Sequence, residues 1–222
     1  MIGTLQETSL HHDLKEWCAR PGDRLEAVVA GYEIDVVGDD RLLEVQTGNF
    51  GAMKSKLKAL LPAYKVELVY PVARERWVCR VDGRDRPISR RKSPKRGRVE
   101  ELFGELLRLP EVTSQPNFSL RVLLTQEEVV WRDDGRGSWR RKGWSVADKR
   151  LLDVVGEQLF EGPDDYLGLL PDSLEEPFTN QELAESLKMR RPLAAKMTYC
   201  LRRMGLLEMA GKSGRFNLYQ RA

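Results

Sequence analysis

The chain has 222 residues with a net charge of +3; 41% are apolar and 32% charged, which is enough for a packed core and too apolar for a disordered chain. No run of about 18 apolar residues occurs, which argues against a helical membrane span, and residues 1–7 lack the basic-then-apolar pattern of a secretory signal. Cys18, Cys79 and Cys200 are far apart and there are only two histidines, so a zinc finger or ribbon is excluded and the thiols read as reduced, in a cytoplasmic protein.

In chain order, Gln6 to Cys18 reads as a helix, with Leu10, Leu14, Trp17 and Cys18 at helical spacing. Leu25 to Val37 reads as two strands bending at Ala30-Gly31. Gly38-Asp39-Asp40-Arg41 reads as a hairpin turn before a strand at Leu43 to Gln46. A helix is expected over Gly51 to Leu61, ended by Pro62, then an apolar strand over Lys65 to Val72, closed by Pro71. A hairpin follows, Arg76 to Val81 and Pro87 to Arg91, turning at Asp82-Gly83. Val99, Leu102, Phe103, Leu106 and Leu107 form one face of an amphipathic helix. Phe118 to Leu124, Val129 to Arg132 and Trp139 to Arg141 read as strands.

Ser145 to Asp148 has the form of a capping box before a helix that turns Leu151, Leu152, Val155 and Leu159 inward. Thr179-Asn180-Gln181-Glu182 is a second capping box. Pro192 suits the first turn of a following helix that ends at Met204-Gly205. A hairpin around Gly211 to Gly214 closes the chain. Helix, helix, helix, hairpin is the order of a winged helix-turn-helix, and the domains expected are 1–142 and 143–222.

Charge is arranged in blocks. Residues 74–98 hold 11 basic side chains against 3 acids, residues 151–187 hold 10 acids and no Lys or Arg, and residues 188–222 hold 9 basic side chains against Glu208 alone. The run Arg90-Arg91-Lys92-Ser93-Pro94-Lys95-Arg96 has no acid within it. Such blocks suit a polyanion, with phosphate backbone the commonest, although RNA, acidic protein and anionic lipid fit the charge equally. Arg190, Arg191, Lys196, Arg202 and Arg203 decorate the expected third helix, and Lys212 and Arg215 the wing.

A two-residue turn at Asp39-Asp40 sets Asp35 opposite Glu44 and Glu33 opposite Gln46 on one face of the hairpin. Facing carboxylates repel unless a cation lies between them, and oxygen donors so placed suit Mg²⁺ or Mn²⁺. The alternative is an ordinary solvated sheet face. His11 and His12 have no Cys or further His at metal-ligand spacing in the sequence and read as structural. Lys54 and Lys58, one turn apart, are placed to hold phosphate.

Helix with Glu7, strand with Asp35, strand with Glu44-Val45-Gln46, helix with Lys54, Lys56 and Lys58, then an apolar strand: this order resembles the core of the PD-(D/E)XK nuclease superfamily over roughly residues 5–72. The resemblance implies an α/β, restriction-endonuclease-like core in which Asp35 and Glu44 bind Mg²⁺ or Mn²⁺, with Glu33 nearby and Glu7 as the acid of the first helix. Gln46 stands where the superfamily usually has Lys, and Ile34 where it often has Pro. The implied activity is metal-dependent DNA endonuclease cleavage, with Gln46 orienting water or phosphate. The implied partner is DNA and no membrane; a homodimer is compatible. The alternative is a non-catalytic nucleic-acid-binding regulator on a decayed nuclease fold, favoured by Gln46.

Overall fold

A computed structural model describes residues 8–136 and 143–222; Glu7 and the expected strand at Trp139 to Arg141 lie outside them. The chain forms a mixed α/β fold built on a seven-stranded sheet. Helix α1 (Ser9–Cys18) leads into β1 (Arg24–Val29) and β2 (Tyr32–Val37), antiparallel through Ala30 and Gly31, whose φ values of 50° and 80° are those of a tight two-residue hairpin turn. Strand β3 (Leu42–Val45) pairs with β2 in the expected register, Val36 with Leu43 and Val37 with Leu42. After a 3-10 turn (Phe50–Met53), α2 (Lys54–Leu60) crosses to β4 (Val66–Val81), which runs parallel to β3. Strand β5 (Pro87–Lys92) pairs with the far half of β4, and α3 (Phe103–Leu106) leads on to β6 (Phe118–Asp133), parallel to β4 along its whole length.

Pro71 does not end its strand. The Val69 carbonyl points at β3, where it accepts from the Gln46 N–H at 2.8 Å. Two residues on, the missing Pro71 N–H therefore faces the same side, beyond the last β3 pair at Val45 with Val69, where no ladder bond is lost.

The expected helix over 146–159 is instead strand β7 (Trp144–Phe160), antiparallel to β6, so the sheet continues past the expected boundary at 142. Three register shifts leave Ala147, Leu152 and Val155 without a β6 partner. Each inserted residue resets the inward–outward alternation, and the broken period of two mimics helical spacing at Leu151, Leu152, Val155 and Leu159. The capping signal is real but serves another helix: Asp148 accepts from Ser9 N (3.1 Å) and Ser9 Oγ (2.8 Å) at the start of α1.

Apolar side chains cover both sheet faces. Leu10, Leu14 and Cys18 of α1 pack on Val36, Leu43, Val45, Val69 and Leu123. The larger core gathers Phe50, Leu57 and Leu60 near α2, Leu102, Phe103 and Leu106 around α3, and runs on through Phe160, Tyr166, Phe178, Met197 and Leu201. The C-terminal part therefore shares the sheet's core. It comprises α4 (Pro163–Leu167), α5 (Asn180–Ser186), α6 (Arg191–Arg203) and the hairpin β8 (Leu207–Ser213) and β9 (Phe216–Arg221). The Thr179/Glu182 capping box forms as expected: Thr179 Oγ1 accepts from Glu182 N at 3.2 Å, and Thr179 N donates to Glu182 Oε2 at 2.6 Å. Gly205, at φ 78°, ends α6. Phe178 bridges Tyr219 through two 2.8 Å backbone bonds, adding a third strand position to the hairpin. Among the described residues no helix is long and apolar enough to cross a membrane.

Candidate functional site

The site forms where β2 and β3 part. Their ladder ends at Val36 with Leu43, one pair short of Asp35 and Glu44, so the two carboxylates are not strand partners. Side chains replace the lost backbone bonds: Val45 N donates to Asp35 Oδ2 at 2.8 Å, and His11 Nε2 lies 2.9 Å from the Val45 carbonyl oxygen. The same His11 nitrogen is 3.4 Å from Asp35 Oδ2. The parting opens a cleft of about 490 Å³, lined by Asp35, Glu44, Gln46, Glu33, Lys56 and His11 among others.

Glu44 is the buried centre of this cleft, at 2% exposure, and Lys56 of α2 reaches it as an ion pair while also donating to the Glu33 carbonyl. Burial first, and the Asp35 charge second, push the Glu44 carboxyl up to about 7, against the lowering effect of Lys56. On the first-helix side Lys15, 2% exposed, pairs at 2.6 Å with Glu26, which holds a left-handed φ of 52° at the β1 position opposite Asp35. A non-glycine residue in that region stores backbone strain of the kind found at functional sites.

The raised Glu44 carboxyl carries a pH signature. In the unfolded chain it titrates near 4.5, in the folded chain near 7. Between those values the folded state binds the extra proton, so this group's contribution to stability falls as pH rises from about 4.5 to about 7, by up to about 1.4 kcal/mol per unit. Glu44→Gln lacks that slope. Its melting temperature should gain on the wild type across this window and hold a constant difference above it; thermal melts from pH 4 to 8 read this directly.

Among the described residues no three His, Cys, Asp or Glu side chains are gathered closely enough to hold a metal by themselves. Asp35 and Glu44 line the same cleft, with Glu33 exposed at its rim. Lys54 and Lys58 are exposed and outside the cleft lining, while Lys56 between them enters it. Spacing carried that signal: Lys56 lies three residues after buried Met53 and four before buried Leu60. His11 and Lys15, four apart, likewise flank the buried Leu10–Leu14–Cys18 stripe of α1.

The basic run is offset in space rather than in sequence. Arg90 pairs with Glu128 at 2.6 Å, Lys92 with Glu75 at 2.7 Å and Arg96 with Glu75 at 3.7 Å; Arg90 and Lys92 also lie over the Trp77 ring. Arg91 is exposed with no carboxylate partner among the described residues. On α6, Arg203 pairs with Glu111, Arg202 lies over the Tyr219 ring and Arg191 over Phe216. Arg215 also lies over the Phe216 ring, and Lys212 is exposed. Burial pushes the free Cys18 and Cys200 thiols up to about 12, which leaves them as uncharged packing groups.

The family described as "Domain of unknown function (DUF8091)" matches residues 8–161, which is more than half of the chain. The chain belongs to this family. The matched segment ends one residue past β7, so the family's domain is α1 together with the complete sheet. The chain is also similar to a protein of Treponema pallidum (strain Nichols) described as an uncharacterized protein, with 34% identity over 226 residues, covering 99% of this chain and 87% of that one. No solved structure matches it significantly.

Proposed function

We propose that this protein is a metal-dependent DNA endonuclease of PD-(D/E)XK type, acting in the cytoplasm, whose residues from about 161 onward form a winged-helix unit. The observation that carries the reading is the cleft at the β2–β3 parting, where a buried Glu44, Asp35 and the Lys56 ammonium converge. The donor set fits Mg²⁺ or Mn²⁺: such ions take one or two carboxylates and keep several waters, and the Asp35 charge already destabilises ionised Glu44. Asp35 and Glu44 would hold the ion, which supplies charge neutralisation at a phosphate and an acidified water.

The chain's own residues complete the site. Lys56 provides a cation in the same cleft as Gln46, which cannot provide one there. Gln46 donates and accepts hydrogen bonds and so orients water or a phosphate oxygen. The Asp35–Val45 bond fixes the carboxylate to the β3 backbone before any substrate arrives. The parted strands lie at the C-terminal end of β3, the usual place for a ligand in a sheet of this kind.

Gln46 together with the Lys56–Glu44 ion pair favours the second reading, a non-catalytic DNA-binding protein on the same fold. Incubating the protein with single-stranded, duplex and branched DNA in Mg²⁺, Mn²⁺ or EDTA decides between them. Cutting that EDTA abolishes supports the enzyme. Gln46→Lys should leave its rate within about threefold, because Lys56 already supplies the charge. A silent wild type that gains cutting on Gln46→Lys would sink the enzyme reading.

A further inference from the structure

The two basic blocks, distant in sequence, converge on one cleft of about 780 Å³ between the 93–98 loop and the turn from α5 to α6. Its walls carry six cations, Lys95, Arg96, Arg98, Lys188, Arg190 and Lys196, against the single carboxylate Glu101. Lys95 pairs with Glu101 at 3.2 Å, Arg96 with Glu75 at 3.7 Å and Arg98 with Glu100 at 2.7 Å. Lys188, Arg190 and Lys196 have no carboxylate partner among the described residues. Like charges held this close repel, and an anion relieves the repulsion.

The cleft is built rather than accidental. Gly97 presses on β4: its N–H donates to the Ala73 carbonyl at 2.9 Å, and a Cβ there would stand 2.5 Å from that oxygen. Arg74 Nη1 donates to the Gly97 carbonyl at 3.2 Å, and Ser93 N donates to the Arg76 carbonyl at 2.7 Å. The loop is thus pinned on both sides of Lys95 and Arg96. Arg98 then ties it to the opposite wall, donating to the Leu187 carbonyl at 2.5 Å. Lys188 itself holds a left-handed φ of 50°.

We propose that this cleft seats the phosphodiester backbone of duplex DNA. The inference rests on the DNA reading above but moves the main contact from the length of α6 to its N-terminal end. Arg202 and Arg203 are engaged by Tyr219 and Glu111, whereas Arg190 and Lys196 open into the cleft. The three cations without a carboxylate partner, Lys188, Arg190 and Lys196, carry more charge than one small phosphate, and consecutive backbone phosphates match them.

The test compares two quadruple variants of equal charge. Lys95→Gln, Lys188→Asn, Arg190→Gln and Lys196→Gln together remove four of the six cations and spare Arg96 and Arg98; Asn tolerates the left-handed position at 188. Arg20→Gln, Arg24→Gln, Lys65→Gln and Arg84→Gln, all exposed and outside the cleft, together form the control. Binding of a fluorescent 20-base-pair duplex is followed by anisotropy from 50 to 300 mM NaCl with EDTA, and cutting is assayed separately with Mn²⁺. The cleft variant should weaken binding at least tenfold and reduce the log–log salt slope by about 2 or more, and the control by less than about 1. Equal effects of the two sets, or no duplex binding by the wild type, overturn the proposal. Cleft-dependent binding without cutting overturns the nuclease reading alone; cutting with cleft-independent binding overturns the cleft alone. Millimolar inorganic phosphate is added as competitor: full displacement of the duplex at constant ionic strength marks a small-anion site and overturns the backbone assignment.

Discussion

Asp35→Asn and Glu44→Gln are each expected to lower metal-dependent DNA cleavage by about 10³-fold or more, roughly 4 kcal/mol of transition-state stabilisation. The choice of amides matters. An asparagine amide oxygen at position 35 can still accept from Val45 N–H, so the parted strands keep their geometry; Asp35→Ala would leave that donor unpaired at a cost of about 1–3 kcal/mol and confuse loss of chemistry with loss of structure. A glutamine at position 44 keeps the volume of a 2%-exposed side chain and removes the charge that burial and Asp35 disfavour. Both variants should stay folded and bind duplex DNA within about twofold of wild type, because their chemistry is separate from the cationic surfaces. Cleavage at wild-type rate by both would remove the site from consideration.

Lys56→Met should be the second large effect, a loss of about 10²-fold in cleavage rate, or roughly 2.7 kcal/mol. Lys56 is the opposing influence that keeps the Glu44 carboxyl from rising further. Without it, the proton stays on Glu44 to higher pH, so the acid limb of the pH–rate profile should move upward. Lys56→Arg keeps the charge and should recover part of the rate and most of the profile. A merely structural Lys56 would lower the melting temperature of Lys56→Met and leave the pH profile in place; that outcome would leave the family's cation without a counterpart in this cleft.

The site is legible in its carboxylates and illegible in its partners. Asp35 and Glu44 can be read because a tight turn at Asp39-Asp40 relates the two strands through local geometry, and Val36 does pair with Leu43. What the register does not show is that the ladder stops there, since that depends on His11 of α1 and on β4 drawing β3 away. Lys54, Lys56 and Lys58 are equally basic, so composition does not separate them; their spacing from Met53, Leu57 and Leu60 does, and the weight of that spacing shows only once α2 is seen packed on the core. The basic run at 90–98 looks unbalanced in sequence because its acids, Glu75, Glu101 and Glu128, come from a neighbouring stretch of β4, from the turn before α3 and from β6.

Interactions spanning a few residues were determined by the sequence alone: the Ala30-Gly31 and Asp39-Asp40 turns, the Thr179/Glu182 capping box, Pro192 at the start of α6 and Gly205 at its end. Each is decided by a dihedral preference or by a hydrogen bond within one turn, and neither needs the rest of the chain. The tertiary structure decided the state of 144–160. There Leu151, Leu152, Val155 and Leu159 satisfy a helical period, yet β6 presents a 16-residue edge, and a strand over 144–160 pairs the N–H and C=O groups of that edge, which a helix there would leave open. It also decided where charge resides, because the field at Glu44 and at the cleft beside α6 is a sum over side chains that meet only when the sheet closes.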